Sequence, residues 1–183
     1  MAQKHVVVVC GYGCKLDSPL KPYLSRVANF ASENDTHLVV LCGGETQKKS
    51  FPGKTEAGVM FDSLSLFLKV PYLLEADSYT TYENIKFSAR RIRQWLAQDV
   101  NGKKCRITIF CEAQRALKVA LLARHFMLGL VENVDGLRIE TDSWERADPT
   151  RELKATIMAW LGIKFPAIAR QERDKRFGRS QNL

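Results

Sequence analysis

His37–Thr46 reads HLVVLCGGET, an apolar run that stops at Gly43-Gly44 and gives way to polar residues. The arrangement recurs. Val6–Gly13 is VVVVCGYG, another apolar run closed by glycines, and Cys105–Glu112 is CRITIFCE, a third that ends on a carboxylate. Short β-branched runs that end at glycine or an acid, with helical periodicity between them, read as parallel strands buried on both faces. The carboxyl ends of such strands present a binding site.

Working outward, a strand at about His5–Cys10 leads through a Gly/Pro loop to a helix from about Pro22, with Leu24, Val27, Ala28 and Ala31 on one face. The strand at about Leu38–Cys42 is followed by a loop and a helix from about Thr55 to Lys69, whose apolar stripe is Val59, Met60, Leu64, Phe67 and Leu68. A short strand near Tyr72–Glu75 precedes a helix over Thr81–Gln98, with Ile85, Ala89, Ile92, Trp95 and Leu96 facing inward. Next come a strand at Arg106–Cys111, a helix from about Gln114 to Met127 and a strand around Leu137–Thr141. Asp148-Pro149 opens a last helix as N-cap and first-turn proline. Repeated βα units predict an α/β fold, doubly wound around a mainly parallel sheet of about five strands, because right-handed crossovers place helices on both faces. Strand order stays open, although 3-2-1-4-5 would set the first and fourth strands beside the switch point. Residues 1–168 read as a single domain and 169–183 as a basic C-terminal tail.

The 183 residues suit one domain with a substantial core, and 45% hydrophobic with 26% charged residues is ordinary for a globular protein. No stretch has the layout of a signal peptide or the length of a membrane helix, so a cytoplasmic protein without membrane contact is expected. Five cysteines, with no CxxC pair, favour reduced thiols over a disulfide framework. Net charge is +8, and Arg170, Arg173, Lys175, Arg176 and Arg179 face only Glu172 and Asp174 in the tail. A solvated helix end running into a frayed terminus accounts for this better than nucleic-acid contact, since no recognised motif accompanies the charge.

The topology directs attention to polar residues at the strand ends: Gly11 and Gly13; Gly43, Gly44, Glu45 and Thr46; Glu75, Asp77 and Ser78; Glu112 and Gln114. Helix N-termini opening on the same side offer backbone N–H groups, and an anionic or nucleotide-like ligand suits such a surface. Gly11-Tyr12-Gly13 is not a dinucleotide fingerprint, because position 16 is Leu and no helix opens directly behind it. Gly43-Gly44 fits either a turn needing positive φ or the close approach of a ligand. Thr80-Thr81-Tyr82-Glu83 fits a capping box that by itself explains Glu83. Cys10, Cys42 and Cys111 fall at strand ends, but His5, His37 and His125 lie elsewhere, so small buried thiols are a better reading than a metal site or a nucleophile. Glu45, Glu56, Glu75 and Glu112 remain as acid–base candidates.

In order along the chain stand the strand ending in Gly11, Leu24-Ser25-Arg26-Val27-Ala28, Leu41-Cys42-Gly43-Gly44-Glu45-Thr46 and Thr55-Glu56-Ala57-Gly58-Val59-Met60. Val70-Pro71 and Glu75 follow, then Ser78, Thr81, Glu83 and Asn84. This series resembles the YdcF/SanA/ElyC family over roughly residues 5–145. The resemblance implies a Rossmann-like three-layer α/β/α sandwich whose motifs line one cleft, with S-adenosylmethionine or nucleotide-like ligands. It raises Glu56, Glu83 and Asn84, with Asn84 bonding a ligand and Glu83 serving as cap and anchor. Members with membrane anchors exist; this chain looks more like the soluble branch.

One stretch departs from the family. Where its members show Thr-Ser-x-x-His-x-x-Arg-Ala, this chain has Phe110-Cys111-Glu112-Ala113-Gln114-Arg115-Ala116-Leu117-Lys118, with Gln114 at the His and Leu117 at the Arg. Gln cannot shuttle a proton near neutral pH. Arg115 or Lys118 can replace the lost charge only from a different helical face. Two functions are therefore expected jointly: a YdcF-like enzyme or binding domain for a small molecule, and a non-catalytic regulatory domain that keeps the cleft. A nucleic-acid-associated protein using its tail comes third.

Overall fold

The computed structural model describes residues 3–17, 19–98, 104–143 and 149–181. Its strands are β1 (His5–Cys10), β2 (Leu38–Cys42), β3 (Tyr72–Glu75), β4 (Arg106–Glu112) and β5 (Leu137–Asp142). The helices are α1 (Leu20–Glu33), α2 (Glu56–Leu64), α3 (Thr81–Leu96), α4 (Ala116–Met127), α5 (Pro149–Lys164) and α6 (Pro166–Ser180). The strands form one parallel sheet in the order β3-β2-β1-β4-β5, the arrangement that puts the switch point between β1 and β4.

Side chains of β1 alternate between two cores. Val6, Val8 and Cys10 pack with Ile85, Ala89 and Ile92 of α3 and Val119, Leu122 and Met127 of α4. Val7 and Val9 pack with Tyr23, Leu24 and Val27 of α1 and Ala57, Met60 and Leu64 of α2. Val6 to Val9 are all 0% exposed, which is why the run reads as continuous rather than alternating. Fully burying each such side chain stabilises by roughly 1.5–3 kcal/mol. The result is a Rossmann-like three-layer fold.

Register aligns the strand ends, with Cys10 opposite Cys42 and Cys42 opposite Glu75. β1 and β4 pair only as far as Val9 and Phe110. Where they part, the buried Tyr23 hydroxyl lies 2.8 Å from the Phe110 carbonyl and 3.2 Å from that of Cys10, satisfying groups the ladder has released.

Three expectations need correction. α2 ends at Leu64, so Phe67 leaves the apolar stripe and is 75% exposed, while Leu68 folds back into the core. Residues 113–115 form a 3₁₀ turn before α4 begins at Ala116. The last helical segment is two helices that meet at Phe165-Pro166, where the proline cannot continue the hydrogen-bonding of α5. Asp148, expected as the N-cap of α5, lies outside the described residues. No helix among the described residues is long and apolar enough to cross a membrane.

Candidate functional site

A cleft of about 310 Å³ opens over the carboxyl ends of the central strands. Glu56, the first residue of α2, lies along its wall, buried under the backbone of Gly11 and Gly43. A Cβ on Gly11 would stand 2.3 Å from Glu56 Oε2, and one on Gly43 would stand 2.5 Å from the same atom. Gly43 also has φ of 142°, which other residues rarely adopt. The two glycines therefore admit the protein's own carboxyl group. The Thr46 hydroxyl and the Gly13 N–H donate to Glu56, yet burial still pushes its carboxyl above the ordinary 4.5. It is the one carboxyl among the described residues that line this cleft.

The glycine loop is part of the scaffold. Gly43 and Gly44 donate to the carbonyls of Glu75 and Ser78 at 2.9 and 2.8 Å. Their own carbonyls accept from the Ala57 and Glu56 N–H groups at 3.0 and 3.1 Å, so two N–H groups in the first turn of α2 are already taken. This corrects the expectation that its N-terminus lies open to a ligand.

The start of α3 forms the opposite wall. Thr80 caps it, accepting from the Glu83 N–H at 3.1 Å, and Glu83 Oε2 accepts from the Tyr79 N–H at 2.9 Å. This is the capping box expected from Thr80-Thr81-Tyr82-Glu83, with the reciprocal bond reaching one residue further back. Burial raises the Glu83 carboxyl too, and Arg173 of α6 answers it at 3.1 Å. The Ser78 hydroxyl donates to Asn84, and both residues line the cleft with Thr80 and Thr81.

At the end of β4, the Arg115 guanidinium stacks 4.4 Å above the Tyr12 ring. Tyr12 is fixed from the other side by the Glu112 N–H, which donates to its hydroxyl. Arg115 Nε lies 3.4 Å from Glu112 Oε2 as an ion pair, without a hydrogen bond. Because residues 113–115 are a 3₁₀ turn, the helical-face argument fails there and Arg115 reaches the cleft. Leu117 points outward, 66% exposed.

The remaining wall comes from α6, which lies across the cleft and carries Arg176, Arg179 and Ser180 to it. Besides the Arg173–Glu83 ion pair, an edge-on contact at 5.3 Å between Phe177 and Tyr79 holds the helix there. The C-terminal charge, read as a solvated tail, therefore belongs in part to this site.

Of the residues picked from sequence, Gly11, Gly13, Thr46, Glu56, Ser78, Thr81 and Asn84 line the cleft together. Gly43, Gly44, Glu45, Glu75, Glu83, Glu112 and Gln114 do not. Glu45 accepts from the Gly53 N–H at 2.7 Å and builds its own loop, and Glu75 accepts from the Asp77 N–H at 2.9 Å beneath the surface. Tyr12, Gln47, Tyr79, Thr80, Arg115, Arg176, Arg179 and Ser180 complete the lining. For Gln47, whose side chain accepts from the Cys14 N–H at 2.8 Å, no sequence signal exists.

All five cysteines are free and buried, and burial raises their thiols, Cys10 and Cys105 to about 12 and Cys14 to about 11. His5 sits at the other end of β1, bonded to Thr108 at 2.9 Å. No cluster of three or more metal-ligating side chains occurs among the described residues. Comparison with models of protein families, with curated proteins and with solved structures gives no match to the chain.

Proposed function

We propose that this protein binds a small anionic, nucleotide-derived molecule in the cleft, as a divergent relative of the YdcF/SanA/ElyC proteins. The observation that carries the reading is the lining itself: Arg115, Arg176 and Arg179 stand with Asn84 and a set of hydroxyls around one carboxyl, beside the switch point of a parallel sheet. Arginines match phosphate oxygens in a fork geometry, and Tyr79 brings an aromatic ring to the same lining. Of the two ligand classes the family resemblance implies, the cationic rim favours a nucleotide over the sulfonium of S-adenosylmethionine. Seven residues read from the motif series and strand ends meet in the cleft, which supports the relationship, and the five free thiols suit a reducing compartment such as the cytoplasm.

A thermal-shift screen against nucleotides, sugar nucleotides, S-adenosylmethionine, S-adenosylhomocysteine and simple phosphates tests this. A nucleotide at about a hundred times its dissociation constant adds roughly 2.7 kcal/mol, a rise of several degrees, and Asn84→Ala abolishes it. No shift with any nucleotide overturns the reading.

Glu56 supports a second, enzymatic reading, because a buried carboxyl held toward its neutral form in a ligand cleft is suited to give up a proton. Under it, Glu56→Gln keeps the ligand-induced shift and loses conversion of the bound nucleotide, followed by phosphorus NMR. Binding without conversion in the wild type leaves the non-catalytic domain as the answer.

A further inference from the structure

Beside the cleft lies a second cavity of about 470 Å³, framed by α4, α5, α6 and the first turn of α3. The two spaces share Thr80, Thr81, Arg176 and Arg179 as walls. Lys118, Lys154, Lys175, Arg176 and Arg179 all face this second cavity, against the single lining carboxylate of Glu172. Lys118 is 5% exposed and held 2.8 Å from Glu152, and Lys175 lies 3.5 Å from Glu172. Neither Lys154 nor Arg179 pairs with a carboxylate among the described residues. Cations gathered around a concave space repel one another and focus a positive potential into it. One phosphate in the cleft would meet Arg115 and the two shared arginines, and would leave Lys154 and the net positive charge of the second cavity unanswered.

We propose that the ligand carries a diphosphate or longer phosphate chain, its first phosphate at the shared wall and the rest in the lysine-lined cavity. This rests on the cleft reading for the nucleoside half of the ligand. Arg176 and Arg179 bridge the two halves, and the Thr80 and Thr81 hydroxyls mark the passage between them.

Calorimetric titration with AMP, ADP and inorganic pyrophosphate tests it, on the wild type, on Lys154→Gln/Lys175→Gln, and on Lys69→Gln as a control for loss of a lysine outside both cavities. ADP is expected to bind at least about tenfold tighter than AMP, given the strength of charge-assisted contacts, and raising the salt narrows the gap. The double variant loses that advantage, and Lys69→Gln keeps it. Equal affinities for AMP and ADP, or an advantage that survives the double variant, overturn the inference and leave the cleft reading standing. Pyrophosphate binding that the double variant abolishes, with no response to any nucleotide, upholds the phosphate cavity and removes the nucleotide. No binding of any probe removes both.

Discussion

At Gly11 the backbone passes so close to Glu56 that an added Cβ would also stand 2.6 Å from the Cys42 carbonyl, which cannot move without disturbing β2. Gly11→Ala is therefore expected to destabilise the fold by about 1–3 kcal/mol, read from urea denaturation. Glu56 has a cost of its own. Burial holds its proton in the folded state above the ordinary 4.5, and Glu75, Glu83 and Glu112 are displaced the same way by burial. The folded state then binds more protons than the unfolded chain. The stability these four carboxyls contribute is greatest below the ordinary value and falls as pH rises through the elevated ones. Glu56→Gln should flatten that decline in melting temperature as pH rises above the ordinary carboxyl value and leave the protein more stable at the upper end. Ser78 was legible at this scale because it stands beside a strand end, and Glu56 as one of four candidate carboxyls, whereas Asn84 was picked out only through the family resemblance. Arg115 was half legible: its charge was evident, but the 3₁₀ turn that aims it at Tyr12 has no signature in so short a stretch.

Among the elements, α3 and α6 decide the shape of the cleft. Thr80→Ala removes the cap of α3 and should cost about 1 kcal/mol, with a larger loss of ligand affinity because Thr80 also lines the cleft. α6 packs on α5 and meets the start of α3 through the Arg173–Glu83 ion pair and the Phe177–Tyr79 ring contact. Phe177→Ala removes its ring contact with Tyr79, worth about 0.5–1.5 kcal/mol, and should speed hydrogen exchange across Pro166–Ser180 while the β1 amides stay protected. The strands and the first four helices follow from periodicity and burial within a few residues. The break between α5 and α6 was readable in Pro166, yet the basic run after it looked like a tail. Nothing local says that a polar helix will return to the far end of the sheet, because that contact is made with Glu83 and Tyr79, nearly a hundred residues earlier.

Over the whole molecule, the reading of parallel strands held because the central strands are covered on both faces, and that requirement is written into VVVVC and LVVLC. Strand order is set by long-range packing and was not. The same two-sided burial encloses all five thiols. In native buffer a disulfide reagent such as Ellman's should therefore react slowly with the protein, and with five thiols per chain once it is unfolded. Charge is partitioned on this scale too, since part of the basic excess gathers at one end of the sheet, around the cleft and its neighbour. The position of α6 has a further result. Two cations of the site ride on α6, so any undocking of that helix would take them from the site and leave only the docked fraction competent to bind. The apparent dissociation constant is the intrinsic one divided by that fraction. Salt that screens the Arg173–Glu83 pair would lower that fraction as well as weaken the ligand's own charge contacts, and an occupied site would raise it in return. Affinity would then also measure how firmly α6 is held against the sheet end.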